Sequence, residues 1–455
     1  MSVLTPAHAR VRLRDLLTLA GPVVASRLGI MAMGVVDTLV VGRHSAVELG
    51  YLALAWAPTG VVLTTAIGLL QGVQVMTSNA IGAGRASDTG AILRRGLVYA
   101  FWVGCMAAAV LVGIGGPLLG HIGLDAALAS GATPVLRVLA LSLVPIMIAD
   151  AGIFWLEAHG RAVPGTIAMW GANAVNLALN LWLVPGRSGF AVAGAAASAW
   201  STALSRTALL VFVAVAIAGW RRAHGLGVFT PAPRDPAASV ALRRVGYAAA
   251  ISYAVESGAF SAMTIVAGWL GAVAVASWAI IINLMALLFM LPLGLATATA
   301  VLVGRAYGAG DAAGIRRAGL LGLGATAAVT VAVSLGVGLG ADALAAGYTH
   351  DPGVRAIAAA ALVLSAWLFF VTDGLQVVAA QSLRARGDIW VPTVTHTVSY
   401  IVVLVPAGYI AAITLGGGVQ GIVWGTIVAG AVSAGLLCGR FLWLSRGLRA
   451  SGFGG

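Results

Sequence analysis

LLTLAGPVVASRLGIMAMGVVDTLVVGR, Leu16 to Arg43, is apolar for longer than the roughly 20 residues a helix needs to cross hydrocarbon. It nevertheless carries Asp37, and a carboxylate at the centre of a membrane helix costs at least about 2.5 kcal/mol. The head before it, MSVLTPAHARVRLRD, is short and basic. The run is too long for a signal-peptide core and has no small-residue cleavage site, so it reads as a retained membrane helix.

The remainder of the 455-residue chain is of the same kind: 60% hydrophobic, 9% charged, with a mean hydropathy of +1.00. Soluble domains carry about a quarter charged residues, and no single water-soluble core absorbs this much apolar sequence. The solvent is lipid. Apolar runs recur near residues 16–41, 50–80, 93–119, 132–157, 164–184, 191–219, 245–270, 274–304, 317–341, 355–383, 392–413 and 419–445. These predict an all-α polytopic membrane protein of about twelve transmembrane helices.

The net charge of +12 comes from arginine alone, since the chain has no lysine. A basic excess can signal nucleic acid, but here it falls in short loops. With the N-terminus inside, Arg43, Arg137, Arg187 and Arg355 fall outside, Arg27 and Arg206 fall within helices, and the other 20 of the 26 lie inside. That is the asymmetry of the positive-inside rule. It places both termini in the cytoplasm and excludes a nucleic-acid role. Cys105 and Cys438 sit in distant apolar runs and read as small hydrophobes, not as a disulfide or metal pair.

The longest polar stretch, WRRAHGLGVFTPAPRDPAASVALRR (Trp220 to Arg244), is rich in Pro, Gly and charge. It divides the chain into a lobe over 1–220, a cytoplasmic linker over 221–244 and a second lobe over 245–455. The two halves echo one another. GAGRASDTGAILRRG (Gly82 to Gly96) is answered by GAGDAAGIRRAG (Gly308 to Gly319), and HGRAVPGT (His159 to Thr166) by RGDIWVPT (Arg386 to Thr393). Paired six-helix lobes about a central cleft are the architecture of secondary transporters, with binding near the midplane.

Asp37, Asp150, Glu256 and Asp373 lie inside apolar runs, and Glu157 lies near a helix end. A carboxyl shut away from water favours its neutral form and can trade a proton for a cation. Intramembrane acids are functional by default. The structural alternative, for Asp150 and Glu157 above all, is pairing with Arg27 or Arg206. Asn173, Asn176 and Asn180 share one face of the fifth helix, as a polar lining or as interhelical glue, and Thr202 is a candidate for the same cluster. His396, alone on its helix, reads as structural.

Other chemistry is missing from the sequence. The Gly-rich GAGR and GRAYGAGD lack the Lys-Ser/Thr of a phosphate loop, and no His-Glu-x-x-His or Gly-x-Ser-x-Gly motif occurs. No cofactor is expected and no enzyme is implied. A passive channel would differ from a pump in showing no uphill transport.

VDTLVVGR after GPVV, NAIGAGR at the end of the second helix, the Glu-bearing seventh helix and TDGLQVVAAQSLRARGDIWVPT together resemble the multidrug and toxic compound extrusion (MATE) transporters, in their NorM-like branch. The resemblance covers essentially the whole chain. It implies two six-helix lobes around a V-shaped cleft. It implies export of amphipathic, often cationic organic compounds by a monomer in the bacterial inner membrane, driven by Na⁺ or H⁺. It assigns ion or substrate binding to Asp37, Asn176, Glu256 and Asp373, the last two ligating the metal if Na⁺ is the coupling ion. Asn180 stands where the DinF-like branch carries a second Asp, which favours the NorM-like arrangement. A lipid-linked oligosaccharide flippase of the same superfamily is the alternative, but such proteins line the cleft with basic residues. Here the helices hold more acids than arginines.

Overall fold

The computed structural model describes residues 12–121, 126–186, 189, 192–231 and 235–447. Arg187, and most of the basic N-terminal head, lie outside the described residues. Among the described residues all regular structure is helical. The helices are α1 (Leu13–His44), α2 (Ala46–Gly82), α3 (Thr89–His121), α4 (Ala126–Leu141), α5 (Leu143–Ala158), α6 (Ala162–Leu183), α7 (Gly194–Ala218) and the short α8 (Arg221–Gly225). They continue with α9 (Pro236–Trp269), α10 (Ala272–Gly308), α11 (Ala312–Tyr348), α12 (Pro352–Ala385), α13 (Trp390–His396), α14 (Val405–Tyr409) and α15 (Gly418–Gly447).

Eleven helical segments are long and apolar enough to cross a membrane, α4 and α5 together making one of them. The twelfth expected span is α6, which carries three asparagines and is not among those eleven. Large apolar side chains such as Trp102, Ile167, Leu339 and Trp367 stand on the surface. In water that would be a liability; against acyl chains it is the correct exterior.

The chain forms two compact units. One is Ala25–Ala250; the other is Ile251–Gly455 together with the chain up to Val24, so both divisions fall inside long helices, α1 and α9. In the first unit the early turns of α9 cross α2 at reciprocal glycines. A Cβ on Gly72 would collide with the Leu242 carbonyl, and one on Gly246 with the Leu69 carbonyl. In the second unit a Cβ on Gly294 of α10 would meet the backbone of Val24. Such small-residue crossings let membrane helices pack backbone to backbone, where lipid supplies no hydrophobic drive.

The sequence echoes are helix ends. Gly84 (φ 73°) and Gly310 (φ 67°) follow the second helix of each half, and Gly160 (φ 76°) and Gly387 (φ 90°) follow α5 and α12. The left-handed backbone there suits glycine and ends a helix. Two runs are interrupted. The stretch expected as one helix over 132–157 breaks at Ser142, whose hydroxyl donates to the Leu139 carbonyl at 2.5 Å. The stretch 392–413 carries π-helical turns over Thr397–Leu404 and Ile410–Thr414, flanking the Pro406 that has no N–H to give.

Candidate functional site

In the unit Ala25–Ala250, Asp37 of α1 is fully buried and meets α6 and α7. Its Oδ1 accepts from Asn176 Nδ2 at 3.0 Å and Asn180 Nδ2 at 2.8 Å, and its Oδ2 accepts from Thr202 Oγ1 at 2.5 Å. Three neutral donors on a carboxylate is an arrangement that stabilises charge without a counter-ion in contact. Asn173 shares the asparagine stripe but serves differently: its Nδ2 donates to the Gly29 carbonyl at 3.0 Å and the Met169 carbonyl at 2.9 Å, tying α6 to α1. The Oδ1 atoms of all three asparagines are buried without a partner. Buried acceptors are rarely left so, and oxygen atoms beside a carboxylate are the ligand type a hard monovalent cation takes.

The same unit holds a second cluster. Arg27 Nη2 approaches both Glu157 carboxylate oxygens at 3.3 Å, and Gln74 Nε2 donates to Glu157 Oε2 at 3.0 Å. Glu157 is therefore the structural pair foreseen as its alternative. Asp150 is not: its Oδ1 is buried with no hydrogen-bond partner, although Arg27 and Arg206 lie within its electrostatic reach. Arg206 instead donates to Ser142 Oγ at 2.7 Å, at the break between α4 and α5.

The second unit holds Glu256 and Asp373. Glu256 of α9 accepts from the Tyr400 hydroxyl at 3.1 Å, and Asp373 of α12 accepts from Gln376 Nε2 at 3.2 Å. Glu256 lies within electrostatic reach of Asp373. Tyr400 belongs to the π-helical turn, and its ring contacts Phe260 at 6.1 Å and His396 at 5.8 Å between centroids. The buried Arg384 donates to Ser252 Oγ at 2.6 Å and lies within electrostatic reach of Glu256. His396 is buried with both ring nitrogens unpartnered, as a packing residue. Cys105 and Cys438 are free and half-buried.

Tyr400, Gln376 and Arg384 escaped the sequence reading. Gln376 could have been found, three residues after Asp373 on the same helical face. Tyr400 could not, because a π-helical turn changes which residues share a face.

The MatE family profile matches residues 22–182 and 248–410, which contain Asp37, Asn176, Glu256 and Asp373. The chain belongs to the MatE family. Among curated relatives it is 48% identical over 430 residues to the probable multidrug resistance protein NorM of Caulobacter vibrioides, covering 94% of this chain and 91% of that one. It is 30% identical to the multidrug resistance protein PmpM of Pseudomonas aeruginosa, covering 89% and 85%. Its fold matches a solved outward-facing multidrug resistance MATE transporter with a TM-score of 0.88, at 19% identity and over 97% and 98% of the two chains. This MATE protein is a multi-pass membrane protein with the twelve-helix fold expected of its family.

Proposed function

We propose that this MATE protein is a secondary active exporter of amphipathic, cationic organic compounds, driven by Na⁺ or H⁺ moving inward through alternating access. It would act as a monomer in the inner membrane with both termini in the cytoplasm. The observation that carries this reading is that each unit holds carboxyls bonded to neutral donors: Asp37 among Asn176, Asn180 and Thr202, and Glu256 and Asp373 with Tyr400 and Gln376. A carboxylate neutralised by arginine cannot exchange its charge for an ion; one held by amides and hydroxyls can.

Binding one ion changes the bonding. An ionised Asp37 accepts from all three neighbours. Once protonated it must donate, and the unpartnered Asn176 and Asn180 Oδ1 atoms are acceptors for that proton after an amide turns. Sodium would use the same oxygens together with the carboxylate. Either event redistributes contacts among α1, α6 and α7, and only such a difference in affinity between two states couples an ion to a conformational change. At Glu256 and Asp373, a cationic cargo and the coupling ion compete for the same negative charge.

The flippase alternative calls for free basic side chains, whereas Arg27 is paired with Glu157, Arg206 is bonded to Ser142 and Arg384 is bonded to Ser252. The test is ethidium efflux in proteoliposomes with the Na⁺ and proton gradients imposed separately. Wild-type protein should move ethidium uphill under at least one gradient. Retention of full ion-driven efflux by Glu256→Gln and Asp373→Asn would sink the mechanism.

A further inference from the structure

Among the described residues of Ala25–Ala250, five charged side chains are buried: Arg27, Asp37, Asp150, Glu157 and Arg206. Three are acids and two are bases, so the fully ionised set carries one negative charge too many for a membrane interior. One proton or one monovalent cation makes it neutral. Glu157 is satisfied by Arg27 and Gln74, and Asp37 by its three donors, but Asp150 has a buried oxygen that nothing satisfies. A protonated carboxyl has one fewer lone pair to satisfy and no charge to compensate.

The order along the helices is also informative. Asp150 and Glu157 are seven residues apart on α5, two turns and about 10 Å on one face. Arg27 and Asp37 are ten residues apart on α1, about 15 Å. Arg206 lies within electrostatic reach of both Asp37 and Asp150, and Asp150 within reach of Glu157. The charges thus run as a ladder from Asp37 through Arg206 and Asp150 to Arg27 and Glu157 near the α5 end. Of the other helices packed on α5, α6 carries no charged residue, α2 only Glu48 at its far end and α4 only the exposed Arg137. Helix α3 brings Tyr99, Cys105, Arg94 bonded to the Gly227 and Val228 carbonyls, and Arg95 paired with Asp235.

We propose that Asp150 is a second proton-binding carboxyl of this unit, exchanging a single proton with Asp37. The O–H bond on one carboxyl breaks as the other forms, both arginines keep their protons, and the core's net charge is unchanged. Asp37 is then free to bind a cation or reset while the proton waits nearer the α5 end. This rests on the reading of Asp37 as an ion-binding carboxyl.

Infrared difference spectra of the full chain in lipid, acid minus alkaline, test it directly. In a Glu256→Gln, Asp373→Asn background the C=O band of protonated carboxyls shielded from water is followed as Asp37→Asn and Asp150→Asn are added in turn. With Asp37→Asn alone added, the band should persist at a shifted frequency, and adding Asp150→Asn should abolish it. Loss of the band with Asp37→Asn alone overturns the proposal, as does a shifted band that survives removal of both residues. If the multiple variants do not fold, Asp150→Asn alone must lose one band component that Asp150→Glu restores; an unchanged spectrum overturns the proposal. Failure of wild-type ethidium efflux would instead remove the exporter reading, and the infrared result would be read independently of it.

Discussion

Glu157 and Arg384 hold the same place in their two units, the third residue before the left-handed glycine that ends the helix, and they carry opposite charge. Each meets a residue about midway along a long membrane helix, α1 or α9. Glu157 pairs with Arg27, six residues after Gly21; Arg384 bonds Ser252, six residues after Gly246. The two halves therefore place a polar contact at one repeated spot and fill it with different chemistry.

That contact predicts a stability asymmetry. Glu157→Gln leaves Arg27 buried beside a neutral amide and should cost about 3–5 kcal/mol, while replacing the cluster as Arg27→Met, Gln74→Leu and Glu157→Leu should be near neutral. Thermal unfolding of the purified variants reads the difference. An undisturbed melting temperature in Glu157→Gln would show that the pair does not hold α1 to α5.

Thr202→Val removes the hydroxyl that donates to Asp37 while keeping nearly the same volume. A hydrogen bond to a charged group is worth about 1.5–3 kcal/mol, or roughly ten- to a hundredfold. Ion-driven ethidium efflux should fall within that range and recover in Thr202→Ser. Equal rates in Thr202→Val and wild type would remove Thr202 from the site.

Tyr400→Phe keeps the ring contacts with Phe260 and His396 but loses the bond to Glu256. Efflux should slow by roughly tenfold, by the same arithmetic. A lower melting temperature at unchanged efflux would make Tyr400 a packing residue.

Gly72→Val and Gly246→Val each drive a side chain into the backbone of the facing helix. Overpacking of this kind costs about 1–3 kcal/mol. Both variants should melt lower than Gly84→Asn, whose left-handed turn has open space around it.

The paired carboxyl clusters were only half legible beforehand. Asp37, Glu256 and Asp373 announced themselves by their cost in lipid, and Asn176 and Asn180 by their spacing on one helical face. The same spacing also included Asn173, which turned to backbone carbonyls instead. Asp150 and Glu157 shared one structural alternative, pairing with Arg27 or Arg206, and only Glu157 takes it.

What the chain alone determined was everything that depends on length and local composition: membrane residence, the number of spans, the arginine asymmetry, the duplicated helix ends and the costly acids. Partner choice was settled elsewhere. Asp37 reaches Asn176 across 139 residues, and Tyr400 reaches Glu256 across 144. Those meetings depend on how each helix is rotated and crossed against the next, at glycine contacts and at breaks such as Ser142. Such rotations are fixed by packing among distant segments, which hydropathy, averaged around a helix, does not record.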